Sequence, residues 1–401
     1  MTLQKKNQKW LTVLSGFAFY FFMMGLTANC FSLYIIPVTN DLGFTRGQFS
    51  VAQTMIFMAG ILCPLVAPKL YKKFGIITVM RAAAVGCGTC YFLQSLASRL
   101  WQFYLGSFFG GVCMQLCTFM PMAILIGEWF DENKNTAIGM ASLGSGLGGS
   151  LLNILCSRII TDFGWRASFR WLGIACVIFS CIPAFLLLKR EPEAAAREAA
   201  ERAQKQSAPA AAEKKEKVKV PGVIYRFGSV SILINISACV ILYSSIPYLQ
   251  DIGYSTAFAA AVSSGAMIAL AVGKFLYGVL LDKLGFVTCF RLSQLSAIFG
   301  LAVLVFFRAS WMVALLYGAI LCTCSYGSVG IPAAAELLSR GKDTNECMGV
   351  IMSMGSIGAS LSSTIAGYVF DFTGSYVPLF VALIVCVGAT VIIADRILKS
   401  V

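Results

Sequence analysis

The stretch at residues 258–281 reads FAAAVSSGAMIALAVGKFLYGVLL, and one residue in it decides how the chain is interpreted. The stretch is long and apolar enough to cross a bilayer, which takes about 20 such residues in a helix. Lys274 lies about eight residues before Asp282, which is roughly 12 Å along a helix. A charge at that depth costs several kcal/mol unless it faces a wet cavity or a partner. Snorkelling to the headgroups is the alternative, but the depth favours a functional residue that receives an anion.

The composition is that of an integral membrane protein. Of the 401 residues, 58% are hydrophobic and 12% are charged, whereas soluble domains carry about 25% charged residues. The net charge of +13 does not indicate a nucleic-acid partner, because the positive side chains lie in loops and form no basic face interleaved with aromatic residues. The lipid bilayer is the expected partner of most of the surface.

The sequence predicts no metal site, no cofactor and no enzymatic activity. The fifteen cysteines are scattered through apolar segments, as is typical of small packing residues. Cys87 and Cys90 have CxxC spacing, but they fall inside a predicted helix, and the chain has no histidine to accompany them. An enzyme would be expected to carry His, Asp or Glu clusters at the membrane face. The chain also lacks the GxxxxGK(S/T) sequence of ATP-driven transporters.

Two sets of six apolar segments predict an all-α membrane protein with twelve transmembrane helices. The only long polar stretch, at 191–220, lies between the two sets and is interpreted as part of a cytoplasmic linker. We therefore predict an N-terminal six-helix bundle at 1–190, a linker at 191–222 and a C-terminal six-helix bundle at 223–401. The predicted spans are 10–37, 48–68, 76–98, 101–127, 136–161, 166–188, 226–249, 256–281, 286–307, 311–337, 346–369 and 375–395.

Positive charge is distributed unevenly between the two sides of this arrangement. With both termini on one side, most of the 31 lysines and arginines fall on that side. Because cytoplasmic loops carry the excess of Lys and Arg, both termini are predicted to be cytoplasmic. We expect a multi-pass protein of the cell (plasma) membrane that acts as a monomer. The residues on the opposite side are Arg46, Arg99, Arg158, Arg166, Arg170 and Arg308.

The two halves of the chain repeat at a constant offset of 210 residues. Six spans in each half give equivalent helices the same direction, which predicts two pseudo-repeat bundles related by an axis along the membrane normal. Transporters with this plan bind substrate near the midplane between the halves and rock around it. The pairs include Pro37 with Pro247, Asp41 with Asp251, Lys73 with Lys283, Gly75 with Gly285 and Trp101 with Trp311.

The loop after the eighth span carries a sequence motif. Gly278-Val-Leu-Leu-Asp282-Lys283-Leu-Gly285 resembles the GxxxD(R/K)xG signature of the major facilitator superfamily and follows the helix where that signature belongs. The resemblance implies the major facilitator fold. It also implies a gating loop, whose charges pair with neighbouring helix ends in one transport state and release them in another.

The first-half counterpart of this motif is incomplete. Lys73 and Gly75 are kept, but Pro68 and Lys72 stand where glycine and aspartate are expected. A tight turn with positive charge is the alternative for both loops, and the missing aspartate favours it in the first half.

A second resemblance concerns Lys274 itself. Gly273-Lys274-Phe-Leu-Tyr-Gly278 is similar to the (G)RxxxG stretch of monocarboxylate transporters and oxalate:formate antiporters, which implies that its cation binds a substrate carboxylate. Lysine replaces arginine here, so a bidentate fork becomes a point charge. Leu270 stands where monocarboxylate transporters carry an aspartate, and 348–368 lacks the second cation of the oxalate antiporter. One fixed charge favours anions with one carboxylate.

Polar residues on other predicted spans are candidate substrate contacts beside Lys274. Each has an alternative role of at least equal weight, as a hydrogen bond between helices. These candidates are Asn29, Tyr34, Gln115, Asn153, Tyr243, Tyr326 and Ser356.

The function favoured by these observations is secondary transport of small organic anions, above all monocarboxylates, by alternating access. Anion exchange and proton-linked symport both stay open, so a counter-anion or a proton is the expected second partner. The alternative is a polyspecific exporter of hydrophobic compounds. Exporters of cationic drugs often use an acidic residue in the membrane, and the predicted spans carry acidic residues only at their ends.

Overall fold

Helices form nearly all of the part of the chain that this computed structural model describes. Among the described residues, nine helical segments are long and apolar enough to cross a membrane, and the two longest each contain two predicted spans. Thr344–Thr373 is a further helix of 30 residues. The predicted twelve-helix, all-α fold is confirmed. The described residues are 3–130, 132–190, 192, 220–244, 248–249, 251–307, 309–340 and 343–399.

The predicted linker at 191–222 lies outside these ranges, apart from residue 192 and residues 220–222.

The first half consists of six helices, α1 to α6. Two short helices, Phe31–Tyr34 and Ile35–Leu42, follow α1, and Pro183–Leu187 continues α6. The helices are α1, Leu3–Phe19 continued by Tyr20–Asn29; α2, Arg46–Phe74; α3, Ile76–Gln94; α4, Leu100–Gln115 and Phe119–Trp129; and α5 and α6, the parts of Lys134–Ile182 before and after Gly164.

The second half repeats this arrangement with α7 to α12. They are α7, Gly222–Cys239 continued by Val240–Ser244; α8 and α9, the parts of Thr256–Val305 before and after Gly285; α10, Met312–Thr323, Tyr326–Gly330 and Ile331–Ser339; α11, Thr344–Thr373; and α12, Val377–Lys399.

Turns with a left-handed backbone fall at equivalent places in the two halves. Gly75 (φ 85°) follows α2 and Gly285 (φ 76°) follows α8, 210 positions later. Glycine adopts such angles without a Cβ clash, so each residue lets one long helix end and the next begin at once. The remaining glycines with positive φ pair in the same way, Gly43 with Gly253 and Gly164 with Gly374. The backbone therefore repeats with the offset seen in the sequence.

Both α4 and α10 are interrupted, each just before a proline. The first part of α4 ends at Gln115, and its second part begins at Phe119, close to Pro121. In α10, the final segment Ile331–Ser339 begins next to Pro332. Proline lacks a backbone N–H and clashes with the preceding turn, which accounts for both interruptions. The interruption in α4 leaves Gln115 at a helix end in the interior of the molecule.

Both described chain ends lie at one end of the molecule, here called the termini end. Trp10 of α1 packs edge-on against Phe130 after α4, with ring centroids 5.6 Å apart. Arg291 at the start of α9 pairs with Asp395 of α12 at 2.9 Å. Because α4 and α5, and α8 and α9, turn at this end, α1 begins and α12 finishes there.

The two halves share a hydrophobic core toward the termini end only. One cluster of buried side chains runs from the whole first half into the second, where it includes Phe227, Phe290 and Ala394. Farther from the termini end, second-half residues such as Val240 and Leu301 belong to a separate cluster. The halves thus share a hydrophobic cluster toward the termini end, whereas toward the other end their buried side chains form separate clusters.

Candidate functional site

A cavity of about 150 Å³ lies between the two halves at the level of the helix interruptions. Much of its lining is apolar and includes methionine and phenylalanine side chains from both halves. Among the described residues that line it, Lys274 is the one charged side chain. Its main neutral polar groups are Asn29, Gln115, Asn235, Tyr326 and Ser356.

Lys274 reaches this cavity from α8 and is held by a neutral partner. Its side chain is 3% exposed, and Nζ donates a hydrogen bond to Ser145 Oγ at 2.5 Å. The Ser145 hydroxyl donates in turn to the Ser142 carbonyl at 3.0 Å. No carboxylate pairs with Lys274 within the described part of the chain. The cation therefore keeps unused hydrogen-bonding capacity, since an ammonium group has three donors.

The position of Lys274 is fixed by close packing of α8 against two other helices. A Cβ on Gly139 of α5 would lie 2.6 Å from the Lys274 carbonyl oxygen. A Cβ on Gly273 would overlap the Leu321 carbonyl oxygen of α10. Ser145 lies well inside α5, so the contact with Lys274 is deep in the bundle. This geometry contradicts snorkelling to the headgroups.

Four of the other predicted contacts also line the cavity: Asn29, Gln115, Tyr326 and Ser356. Asn29 donates through Nδ2 to the Ser145 carbonyl at 2.9 Å. It therefore helps to position Ser145, whose hydroxyl accepts the hydrogen bond from Lys274.

Tyr34 and Asn153 are not among the cavity-lining residues. The Tyr34 hydroxyl lies 2.8 Å from Ser168 Oγ and accepts a hydrogen bond from Tyr91 at 3.0 Å. Its ring stacks on Phe169 with centroids 3.9 Å apart. For Tyr34 the structure thus favours the helix-packing alternative. The side chain of Tyr243 lies outside the described residues.

Sequence reasoning missed two residues of the site. Asn235 of α7 lines the cavity, and an asparagine within an apolar span was a usable signal. Ser145 of α5 holds Lys274, but a serine in a membrane helix is too common to be singled out.

The predicted gating loop connects the halves at the termini end. The Asp282 carboxylate accepts hydrogen bonds from Asn135 N and Nδ2, at 3.2 and 2.9 Å, and from Thr136 N and Oγ1, at 2.7 and 2.6 Å. The first N–H groups of a helix have no partner inside it and carry the positive end of the helix dipole. Asp282 therefore caps α5 from the other half. Gly278 allows this approach, because a Cβ there would overlap the Asn135 carbonyl oxygen.

The equivalent contact in the first half has its charges reversed. Lys72, which is equivalent to Asp282 in the repeat, pairs with Glu346 in the first turn of α11 at 2.5 Å. Lys73 has no recorded contact with the described residues of the second half. Its Nζ lies 5.0 Å from the ring centroid of its neighbour Phe74. Lys283 is exposed. The first-half loop is therefore more than a turn, although Lys72 and not Lys73 makes its contact.

All recorded polar contacts between the halves, among the described residues, lie from mid-molecule to the termini end. The central ones are Lys274 with Ser145 and Ser353 with the Ile61 carbonyl. The outermost are Lys72 with Glu346 and Lys134 with Glu336, the latter at 2.9 Å. Together with the divided core, this geometry describes a molecule closed at the termini end.

The family model described as Major Facilitator Superfamily matches residues 17–340 and 228–397, which together span nearly the whole chain. The chain belongs to the Major Facilitator Superfamily. This is a family of membrane transporters and not of enzymes, so the multi-pass transport protein expected from the sequence is confirmed at that level.

Relatives within the superfamily are distant. The MFS-type transporter pynF of Aspergillus niger is 26% identical over 382 residues, which cover 90% of this chain and 81% of that one. Monocarboxylate transporter 3 of Mus musculus is 29% identical over 166 residues, 40% of this chain. The matched region spans 32% of the mouse protein's length.

A solved superfamily structure agrees with the fold. The E. coli fucose:proton symporter FucP, in a structure described as outward, superposes with a TM-score of 0.71 at 13% identity. The match covers 97% of this chain and 99% of FucP. At that identity the likeness concerns the superfamily fold alone.

Proposed function

We propose that this chain is a secondary transporter of small organic anions that carry one carboxylate. The observation that carries the proposal is Lys274, a buried cation in the central cavity whose recorded partner is a neutral hydroxyl. A buried charge without a counter-charge is costly. A substrate carboxylate supplies that counter-charge and forms charge-assisted hydrogen bonds with the ammonium donors.

The charge balance of the cavity favours one carboxylate over two. Lys274 is the one charged side chain among the described lining residues, so a second carboxylate would be desolvated without a cation. A bound monocarboxylate leaves the site neutral, which lowers the electrostatic cost of carrying it through the membrane.

Two observations favour this function over export of hydrophobic compounds. The cavity, at about 150 Å³, is smaller than the roughly 300–1,000 Å³ of pockets for drug-sized ligands. No acidic side chain lines it among the described residues, so a cationic drug would meet a cation. The match to a monocarboxylate transporter supports the same class of substrate.

Alternating access is the mechanism we propose. The excess of Lys and Arg in the loops of the termini end supports a cytoplasmic location for that end. In this state the Asp282 and Lys72 contacts hold the cytoplasmic side shut while the halves diverge on the other side. Substrate then enters from outside, and transport requires these contacts to break. We propose that the chain works as a monomer in the plasma membrane.

Two couplings suit a carrier with one fixed cation. In exchange, the empty carrier keeps the uncompensated charge of Lys274 and reorients slowly, so that a counter-anion is needed. In symport, a proton accompanies the anion. Counter-anion loading and a pH gradient separate these two cases.

The test is uptake of labelled mono- and dicarboxylates into proteoliposomes, with and without internal anion and with and without a pH gradient. Lys274→Ala is expected to lower anion uptake by about a hundredfold, because it removes roughly 3 kcal/mol of charge-assisted hydrogen bonding to the substrate. Lys274→Arg keeps the charge and should retain part of the activity. Lys69→Ala, which removes an exposed lysine of α2, is the matched control. Undiminished uptake by Lys274→Ala would refute the proposal.

A further inference from the structure

A second group of polar side chains lies in the cavity, next to the contact between α2 and α11. It consists of Gln115, Asn235 and Ser356, and is called here the neutral cluster. Lys274, in contrast, lies next to the contact between α5 and α8. The cavity thus has a charged pole and a neutral pole at different helix pairs.

The members of the neutral cluster converge because two glycines leave room for them. A Cβ on Gly60 of α2 would lie 2.7 Å from Ser356 Oγ and 2.8 Å from Gln115 Nε2. A Cβ on Gly355 would lie 2.8 Å from Asn235 Nδ2. Side chains from α4 and α11 therefore meet at Gly60, and the Asn235 side chain of α7 packs against the neighbouring turn of α11.

The hydrogen-bonding groups of this cluster are largely unused within the protein. The Gln115 amide and the Ser356 hydroxyl have no recorded partner among the described residues, and both are half-buried. Asn235 Nδ2 donates to the Ser231 carbonyl at 2.9 Å, which fixes the amide and leaves Oδ1 available. The cluster therefore offers donors from Gln115 and Ser356 and an acceptor from Asn235, with no net charge.

We propose that the neutral cluster binds a hydroxyl group at the end of the substrate remote from its carboxylate. The inference rests on the proposed function, since Lys274 anchors the carboxylate, and it narrows the substrate class to hydroxy-monocarboxylates. A hydroxyl both donates and accepts, which matches the mixed donors and acceptors of the cluster. A site built to hydrogen-bond a substrate group discriminates against an analogue that lacks it, because its own polar groups are left unpaired.

Other distal groups fit the neutral cluster less well. An alkyl end would bury the polar groups of Gln115 and Ser356 without partners. A second carboxylate would find no cation, and an ammonium group no anion, among the described lining residues. The hydroxyl group is thus favoured on charge as well as on hydrogen bonding.

The experiment compares matched pairs of substrates in proteoliposomes that contain the full chain. Each pair is an ω-hydroxy monocarboxylate and the unsubstituted monocarboxylate of the same chain length, over a series of lengths. The wild type is expected to show a KM about tenfold lower for the hydroxy acid at one chain length, from one or two net hydrogen bonds. Ser356→Ala and Gln115→Leu should bring the ratio of the two KM values close to one.

Two glycine substitutions supply a matched pair of variants. Gly60→Ala would displace the flexible ends of Ser356 and Gln115 without removing either group, and should also abolish the preference. Gly318→Ala meets no atom within 4 Å and should keep it. A dicarboxylate of the same length should be a poor substrate of every variant.

The outcomes separate this inference from the proposed function. If Lys274→Ala abolishes uptake of both acids while Ser356→Ala, Gln115→Leu and Gly60→Ala keep the wild-type ratio, the neutral cluster does not bind the hydroxyl and this inference is wrong. Equal KM values for both acids in the wild type at every length also overturn it. If Lys274→Ala transports both acids normally, the proposed function itself fails.

Discussion

Replacing Asp282 with asparagine should loosen the closed termini end without altering the cavity. The carboxylate accepts four hydrogen bonds from Asn135 and Thr136. Asparagine keeps one acceptor oxygen and turns an NH₂ group toward the Thr136 N–H. It therefore loses one charge-assisted bond, worth about 1.5–3 kcal/mol, and weakens the others by removing their charge. A loss of about 3 kcal/mol in the closed state corresponds to roughly a hundredfold change in its equilibrium with open states.

Hydrogen–deuterium exchange of a peptide covering the start of α5 measures this change directly, because two of the four donors are backbone amides. Exchange of these amides in Asp282→Asn should be about a hundredfold faster than in the wild type, since it follows the opening equilibrium. Lys283→Gln, an exposed neighbour, is the control and should leave exchange unchanged. The reasoning is refuted if α5 amides in Asp282→Asn stay as protected as in the wild type.

Two further predictions concern the Lys72–Glu346 contact between the halves and the packing of the first half. Lys72→Glu and Glu346→Lys should each lower the population of the state closed at the termini end by roughly two- to fivefold, as expected for a partly exposed pair. The double variant should restore that population, as measured by hydrogen–deuterium exchange at the start of α11. The absence of restoration would contradict a direct pair. Tyr34→Phe removes a hydroxyl bonded to Ser168 and Tyr91, so it should lower the free energy of unfolding by about 1–3 kcal/mol. The substrate KM should stay within about twofold of the wild-type value, because Tyr34 does not line the cavity. A large rise in KM with unchanged stability would place Tyr34 in the binding site instead.

The fold was predictable because its signals can be read from the sequence without knowing which helices pack together. Apolar length gives the spans, and the offset of 210 residues gives the repeat, which the backbone reproduces in Gly75 and Gly285. Lys274 was equally visible, because a lone charge in an apolar run stands out without knowledge of its neighbours.

The contacts of the site were less predictable because they depend on how distant helices pack. Ser145 is 129 residues from Lys274, and nothing in its own surroundings marks it. Tyr34 lies in the short helix Phe31–Tyr34 that follows α1, so the face on which Asn29 lies does not predict the direction of Tyr34. The role of Lys72 was underestimated for a similar reason, since its partner Glu346 is on a helix of the other half.

Two contacts at the closed end differ in their sensitivity to salt, because one is an exposed ion pair and the other joins a carboxylate to backbone amides. Lys72 and Glu346 have side chains that are 62% and 22% exposed, and ions screen such a pair over a Debye length of about 8 Å at physiological ionic strength. Asp282 is anchored to backbone amides in a half-buried position, where screening is weaker. Rising ionic strength on this face therefore weakens the Lys72–Glu346 pair between α2 and α11, and the similarly exposed Lys134–Glu336 pair between α5 and α10, before it weakens the Asp282 contact between α8 and α5. The Asp282 contact with the start of α5 would then be the last of these three contacts to separate.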